Sequence, residues 1–132
     1  MNAKVLIIED TPANMKLTTM LLQREGYVVL QADNASDGIA LAREHRPGLI
    51  LLDIQLPGMD GLEATRILKK DATTCSIPVV ALTAFAMKGD EDRIRAAGCD
   101  GYVAKPIQYK TFLTEVKNRL SLQPITRCAD ET

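Results

Sequence analysis

Two runs, Val5–Ile8 and Leu49–Leu52, are apolar at every position. A strand with one wet face alternates apolar and polar residues. A strand without alternation is buried on both faces, which is the signature of a parallel sheet covered by helices on either side. That continuity suits parallel strands covered by helices on both sides. It also predicts that helical segments separate the strands, because parallel neighbours need crossover connections.

The rest of the chain supplies them. Lys4–Ile8 reads as the first strand. Thr11 and Pro12 open a helix, Thr as N-cap and Pro at the first helical position, and Gly26 closes it. That helix carries Leu17, Met20 and Leu21 at i, i+3 and i+4. Tyr27–Ala32 is a second strand and Ala35–His45 a second helix, ending before Pro47. Leu49–Leu52 is the third strand, and Leu56–Gly61 a loop with two glycines and a proline. A helix over Leu62–Lys70 follows, with Ala64, Ile67 and Leu68 at helical spacing. Ile77–Leu82 is the fourth strand, with Pro78 near its start. Lys88–Ala97 is a helix stopped by Gly98, Gly101–Ala104 a short fifth strand, and Tyr109–Ser121 a last helix turning Leu113, Val116 and Leu120 inward. The unit βα thus occurs five times, and right-handed crossovers give an α/β fold with helices on both faces of a parallel sheet.

Composition narrows the function. At 132 residues the chain has room for one domain. The formal net charge is −1 with no basic run, and tryptophan is absent, so neither a nucleic-acid face nor an anionic membrane surface is expected. No apolar run approaches the roughly 20 residues of a membrane span. Residue 2 is Asn, which excludes N-myristoylation, and no signal-peptide core precedes Val5. Cys75, Cys99 and Cys128 lack metal or redox spacing and read as reduced thiols of a cytoplasmic protein. His45, the only histidine, lies in the charged segment Arg43–Arg46 and reads as a solvated helix residue.

The chemistry lies at the strand ends. Glu9 and Asp10, Asp53, Thr83 and Lys105 all stand where an apolar run stops. The carboxyl ends of strands in an open parallel sheet share one crevice. Three carboxylates, a hydroxyl and an ammonium therefore converge. Any one of these acids is an ordinary solubilised strand end; the set is not. Crowded carboxylates raise one another's pKa, and a divalent cation relieves them. An all-oxygen ligand set selects Mg²⁺, or Mn²⁺, over zinc. Lys105, placed to pair with Asp53 or a phosphoryl oxygen, and Thr83 supply donors opposite the cation. A cis bond at Lys105–Pro106 would fix the lysine's direction. Such a site supports phosphoryl transfer, which depends on positioning and charge neutralisation. Asp53, on the central third strand, is the candidate nucleophile, and its product an aspartyl phosphate. No Walker A or kinase signature is present, so the phosphoryl group is expected from another protein or a small donor rather than ATP.

These residues resemble a family. Ile7–Asp10, Leu51–Pro57, Ala81–Ala84 and Ala104–Ile107 are similar, in order and spacing, to the receiver domains of bacterial response regulators, over about Ala3 to Leu120. The run Thr83–Glu91 is most similar to DivK-type single-domain regulators and is shared by receivers of hybrid histidine kinases. The resemblance implies the flavodoxin-like, CheY-like fold: five parallel strands in order 2-1-3-4-5 with five helices on both faces. It implies a receiver over residues 1–121, with 122–132 a tail or linker stub. It implies that Asp53 accepts phosphoryl from a histidine kinase or histidine phosphotransfer protein. It implies Mg²⁺ held by Asp10, Asp53 and the carbonyl of Gln55, with Glu9 acting through water. Lys105 and Thr83 would bind the phosphoryl oxygens, and Tyr102 would be the switch aromatic that turns inward as Thr83 moves. Output would be contact with a downstream protein through the fourth helix, fifth strand and fifth helix, where Phe85, Ala86, Met87 and Tyr102 give apolar surface. Phe85 would also shield the phosphate and slow its hydrolysis, which an unchanged lifetime in Phe85→Ala would refute.

Two rival classes fit less well. A haloacid-dehalogenase-type phosphatase needs a second acid two residues after its nucleophile, and Gln55 stands there. A flavin module needs a hydroxyl- and glycine-rich phosphate loop after the first strand, where Glu9–Pro12 is anionic. Within the favoured class, a complete regulator and a receiver from a larger kinase or regulator are both open.

Overall fold

The structure, a computed structural model, describes residues 3–56, 58–84 and 88–121, with 88–90 by backbone alone. The elements are β1 (Lys4–Ile8), α1 (Pro12–Arg24), β2 (Val28–Ala32), α2 (Ala35–His45), β3 (Leu49–Asp53), α3 (Gly61–Lys70), β4 (Val79–Thr83), α4 (Lys88–Ala97), β5 (Gly101–Ala104) and α5 (Tyr109–Ser121). Every strand pairing is parallel and the order is β2-β1-β3-β4-β5, as expected.

Period-two alternation divides the core between two faces. Val5 and Ile7, Leu49 and Leu51, Val80 and Leu82, and Val103 point to one side, where Leu21 and Leu22 of α1 and Phe112 and Val116 of α5 cover them. Leu6 and Ile8, Ile50 and Leu52, and Val79 and Ala81 point to the other, under α2, α3 and α4. β3 and β4 are buried at all positions, so both lie inside the sheet.

The helix ends follow their sequences. Asn34 caps α2 by accepting from Asp37 N at 2.8 Å, and Asp60 caps α3 by accepting from Glu63 N at 2.8 Å. Pro12 starts α1, and Gly26, at φ +90°, reverses the chain after it. The α1 face differs from the expected spacing: Thr18, Leu21 and Leu22 are buried, whereas Leu17 and Met20 are exposed. Thr18 tolerates burial because its hydroxyl donates to Asn14 O at 2.8 Å. On α5, Phe112 is the fully buried anchor, with Leu113 and Leu120 only partly covered. The strands β3 and β4 extend one residue further than expected, so Asp53 and Thr83 are their last residues rather than the first beyond them.

Cys99 is a free, buried thiol, but Cys75 is disulfide-bonded. This corrects the reading of three reduced thiols: spacing along a chain does not show which cysteines the fold brings together. The expected tail, 122–132, also lies outside the described residues.

Candidate functional site: a carboxylate cluster at the sheet's C-terminal edge

The strand ends place the reactive groups together. Glu9 follows β1, and its N–H donates to Ala32 O at 3.0 Å, continuing the β1–β2 ladder. Asp53 ends β3 opposite Leu82, which puts Thr83 one residue further along the adjacent strand. Lys105 follows β5, with its N–H on Thr83 O at 2.7 Å and a cis bond to Pro106. Carboxylate oxygens of Glu9, Asp10 and Asp53 lie within 4.8 Å of one another. Glu9 and Asp53 are buried, at 1% and 3% exposure, while Asp10 faces solvent. A cleft of about 630 Å³, lined in part by Met15, Asp33 and Leu41, opens from Glu9 and Asp10 between α1 and α2.

Lys105 ties the buried acids. Its ammonium donates to Asp53 Oδ2 at 3.0 Å and to Glu9 Oε1 at 3.1 Å. The expected pairing with Asp53 is present; the pairing with Glu9 was not legible, because β1 and β5 are not neighbours in the sheet. Asp53 Oδ1 accepts from Gln55 N at 2.9 Å, so both carboxylate oxygens of Asp53 are held in fixed directions. Glu9 Oε2 accepts from Thr11 N at 3.3 Å.

Electrostatics record the crowding. Burial, then the hydrogen bond and charge of Asp53, push the Glu9 carboxyl up to about 7, against the opposing pull of Lys105. Burial alone would lower the Lys105 pKa; the bonds and charges of Asp53 and Glu9 outweigh it and hold it above the ordinary lysine value. A buried carboxyl with so high a pKa binds a proton or a cation readily. The donors are all oxygen, and the described metal-ligating cluster contains no His or Cys. That fits a hard divalent cation keeping several waters.

The loop from β3 to α3 is held against Asp53 and Ile54. Gly61 N donates to Ile54 O at 3.1 Å, and a Cβ at Gly61 would lie 2.5 Å from Asp53 O and collide with Ile54 Cα. In the sequence Gly61 reads only as part of a turn; its signal is the glycine itself, at a helix start where a side chain is normally welcome.

Thr83 is buried at the end of β4. Tyr102 is half-buried on β5, and its hydroxyl donates to Glu91 Oε2 of α4 at 3.3 Å. Phe85, Ala86 and Met87, expected to shape the phosphate's surroundings and the output face, lie outside the described residues.

A parallel five-stranded sheet with an acid cluster and a lysine at its carboxyl edge defines a class. Residues 5–117 match the response regulator receiver domain family, and the chain belongs to it. Among named relatives, the polar-differentiation response regulator DivK of Brucella anthropi is 50% identical over 120 residues, covering 91% of this chain and 98% of its own. The receiver domain of a sensor histidine kinase from Pseudomonas aeruginosa PAO1, solved with magnesium coordinated in its active-site cleft, superposes with a TM-score of 0.86 at 29% identity, covering 92% of this chain and 100% of its own. A chemotaxis response regulator of Vibrio cholerae gives a TM-score of 0.86 at 25% identity, over 90% and 99% of the two chains. The chain is thus a receiver domain of two-component signalling, a class of phosphoacceptor signalling proteins rather than conventional enzymes. Among the described residues, no helix is long and apolar enough to cross a membrane.

Proposed function

We propose that this chain is a Mg²⁺-dependent phosphoacceptor switch, phosphorylated on Asp53 by a histidine kinase or histidine phosphotransfer protein. The observation that carries the reading is Lys105 bridging Asp53 and Glu9 inside a cluster of three carboxylates. Asp10, Asp53 and the carbonyl of Gln55 would hold the cation. Glu9, already engaged by Lys105 and Thr11 N, would act through water. Bound Mg²⁺ would neutralise charge on the transferring group.

The chain's own groups do the rest. Gln55 N and Lys105 aim the Asp53 carboxylate, which attacks phosphorus in line while the P–N bond to the donor imidazole breaks. Lys105 then exchanges its bond to Asp53 for one to a phosphoryl oxygen, and Thr83 donates to another. Leu17 and Met20, exposed on the helix that starts beside Asp10, offer apolar surface to a protein donor. Phosphorylation shifts a two-state equilibrium through Thr83 and Tyr102 and changes the α4-β5-α5 face presented to a downstream protein. The protein would act in the cytoplasm, a reading that rests on its family's part in two-component signalling and not on its thiols.

Donor chemistry tests this reading. Phosphoramidate, a small P–N donor, should phosphorylate the protein in Mg²⁺, and ATP should not. Labelling by ATP alone, or none by either phosphoramidate or acetyl phosphate, would contradict it.

A further inference from the structure

Tyr102 and Thr83 belong to the same face of the sheet. Tyr102 pairs with Ala81, and Thr83 lies two residues beyond Ala81, so period-two alternation sends both side chains to the side covered by α3 and α4. The Tyr102 hydroxyl does not end in solvent. It donates to Glu91 Oε2 at 3.3 Å. The other Glu91 oxygen, Oε1, is taken by Arg95, which donates from Nη2 at 3.1 Å and Nε at 3.3 Å. Glu91 and Arg95 are one helical turn apart on α4, so the carboxylate is anchored on its own helix and presents its free edge to β5.

We propose that Glu91 is a positioning residue for the switch, a latch that holds the Tyr102 ring at α4 in the unphosphorylated protein. Arg95 orients the latch, and Tyr102 must leave it to turn inward. The inference rests on the reading of Tyr102 as the switch aromatic and adds the residue that sets its resting position. In a two-state equilibrium, a bond present only in the resting state raises the work of activation by its own net worth. A hydrogen bond to a charged, partly solvated acceptor is worth enough to shift that equilibrium about two- to tenfold. Glu91 therefore tunes how readily the chain responds, without touching the phosphoryl group.

The test uses beryllofluoride, a tetrahedral mimic of the phosphoryl group, titrated in Mg²⁺ against protein carrying 3-fluorotyrosine. The Tyr102 fluorine resonance is assigned by its loss in Tyr102→Phe. Glu91→Ala should lower the apparent Kd about two- to tenfold and shift the resting Tyr102 resonance toward the bound one. Glu91→Gln, which keeps an acceptor oxygen, should restore much of the wild-type behaviour. In a Tyr102→Phe background, Glu91→Ala should change the Kd no further. An unchanged Kd in Glu91→Ala, or an equal change with and without the Tyr102 hydroxyl, overturns the latch while leaving the switch reading intact. A wild-type Tyr102 resonance that ignores bound beryllofluoride overturns the switch reading and the latch with it.

Discussion

Lys105 governs the site in the absence of metal. Its ammonium is the partner of two buried carboxylates, and removing one member of a buried charge cluster leaves the others without compensation. Lys105→Met should destabilise the metal-free protein by about 2–3 kcal/mol, less than a fully stranded charge because Glu9 can take up a proton. Urea unfolding in chelator measures it. Glu9 sets the pH response. Its folded-state value, about 7, lies above the ordinary 4.5, so between those limits the folded chain holds a proton that the unfolded chain has lost. Stability contributed by this group is present below about 4.5, falls as pH rises through that window, and is gone above about 7. Glu9→Gln should flatten this part of the stability–pH curve, read as denaturant midpoints in chelator between pH 5 and 8. The acids themselves were legible in the sequence because each ends an apolar run. The link from Lys105 to Glu9 was not, since it spans the sheet between strands 96 residues apart in the chain.

At the scale of elements, two contacts decide how accurately the strand ends are presented. Gly61 lets the start of α3 abut the backbone of Asp53 and Ile54. Gly61→Ala must displace that helix start or the loop after Asp53, so Mg²⁺ affinity should fall several-fold in a protein that remains folded, measurable by the rise in melting temperature on Mg²⁺ titration. Lys69 ties α3 to the far side of the sheet: its ammonium donates to Ile77 O at 2.8 Å and Asp100 Oδ2 at 2.9 Å, and Asp100 Oδ2 also accepts from Val79 N at 2.8 Å. Lys69→Met should cost about 1–3 kcal/mol in urea unfolding while leaving the rate of phosphorylation by acetyl phosphate within about twofold, because the contact lies away from the strands' carboxyl ends. Here the sequence was a partial guide. Uninterrupted apolar runs and cap residues located all ten elements to within one or two residues. Which stripe of α1 turns inward was not readable, because Leu17 and Met20 share helical spacing with Leu21 and only packing against the sheet selects Thr18, Leu21 and Leu22. The disulfide at Cys75 was invisible for the same reason.

At the scale of the whole molecule, the fold gathers three carboxylates at one edge of an otherwise apolar sheet, and a bound cation would relieve their repulsion. Metal binding should therefore stabilise the entire domain by mass action, more at pH 8 than at pH 6, because protons compete for Glu9 below about 7. The fold was legible as a whole because parallel strands buried on both faces allow few alternatives. The site's class followed from the same topology, which gathers every strand's carboxyl end on one edge. On this reading the edge is a Mg²⁺-dependent phosphoacceptor centred on Asp53. Intact mass after incubation with acetyl phosphate tests it most directly, for wild type and Asp53→Asn, with Mg²⁺ and with chelator. A single phosphoryl adduct is expected on wild type in Mg²⁺, lost in chelator and absent in Asp53→Asn. An adduct of equal yield on Asp53→Asn, or one indifferent to chelator, would contradict it.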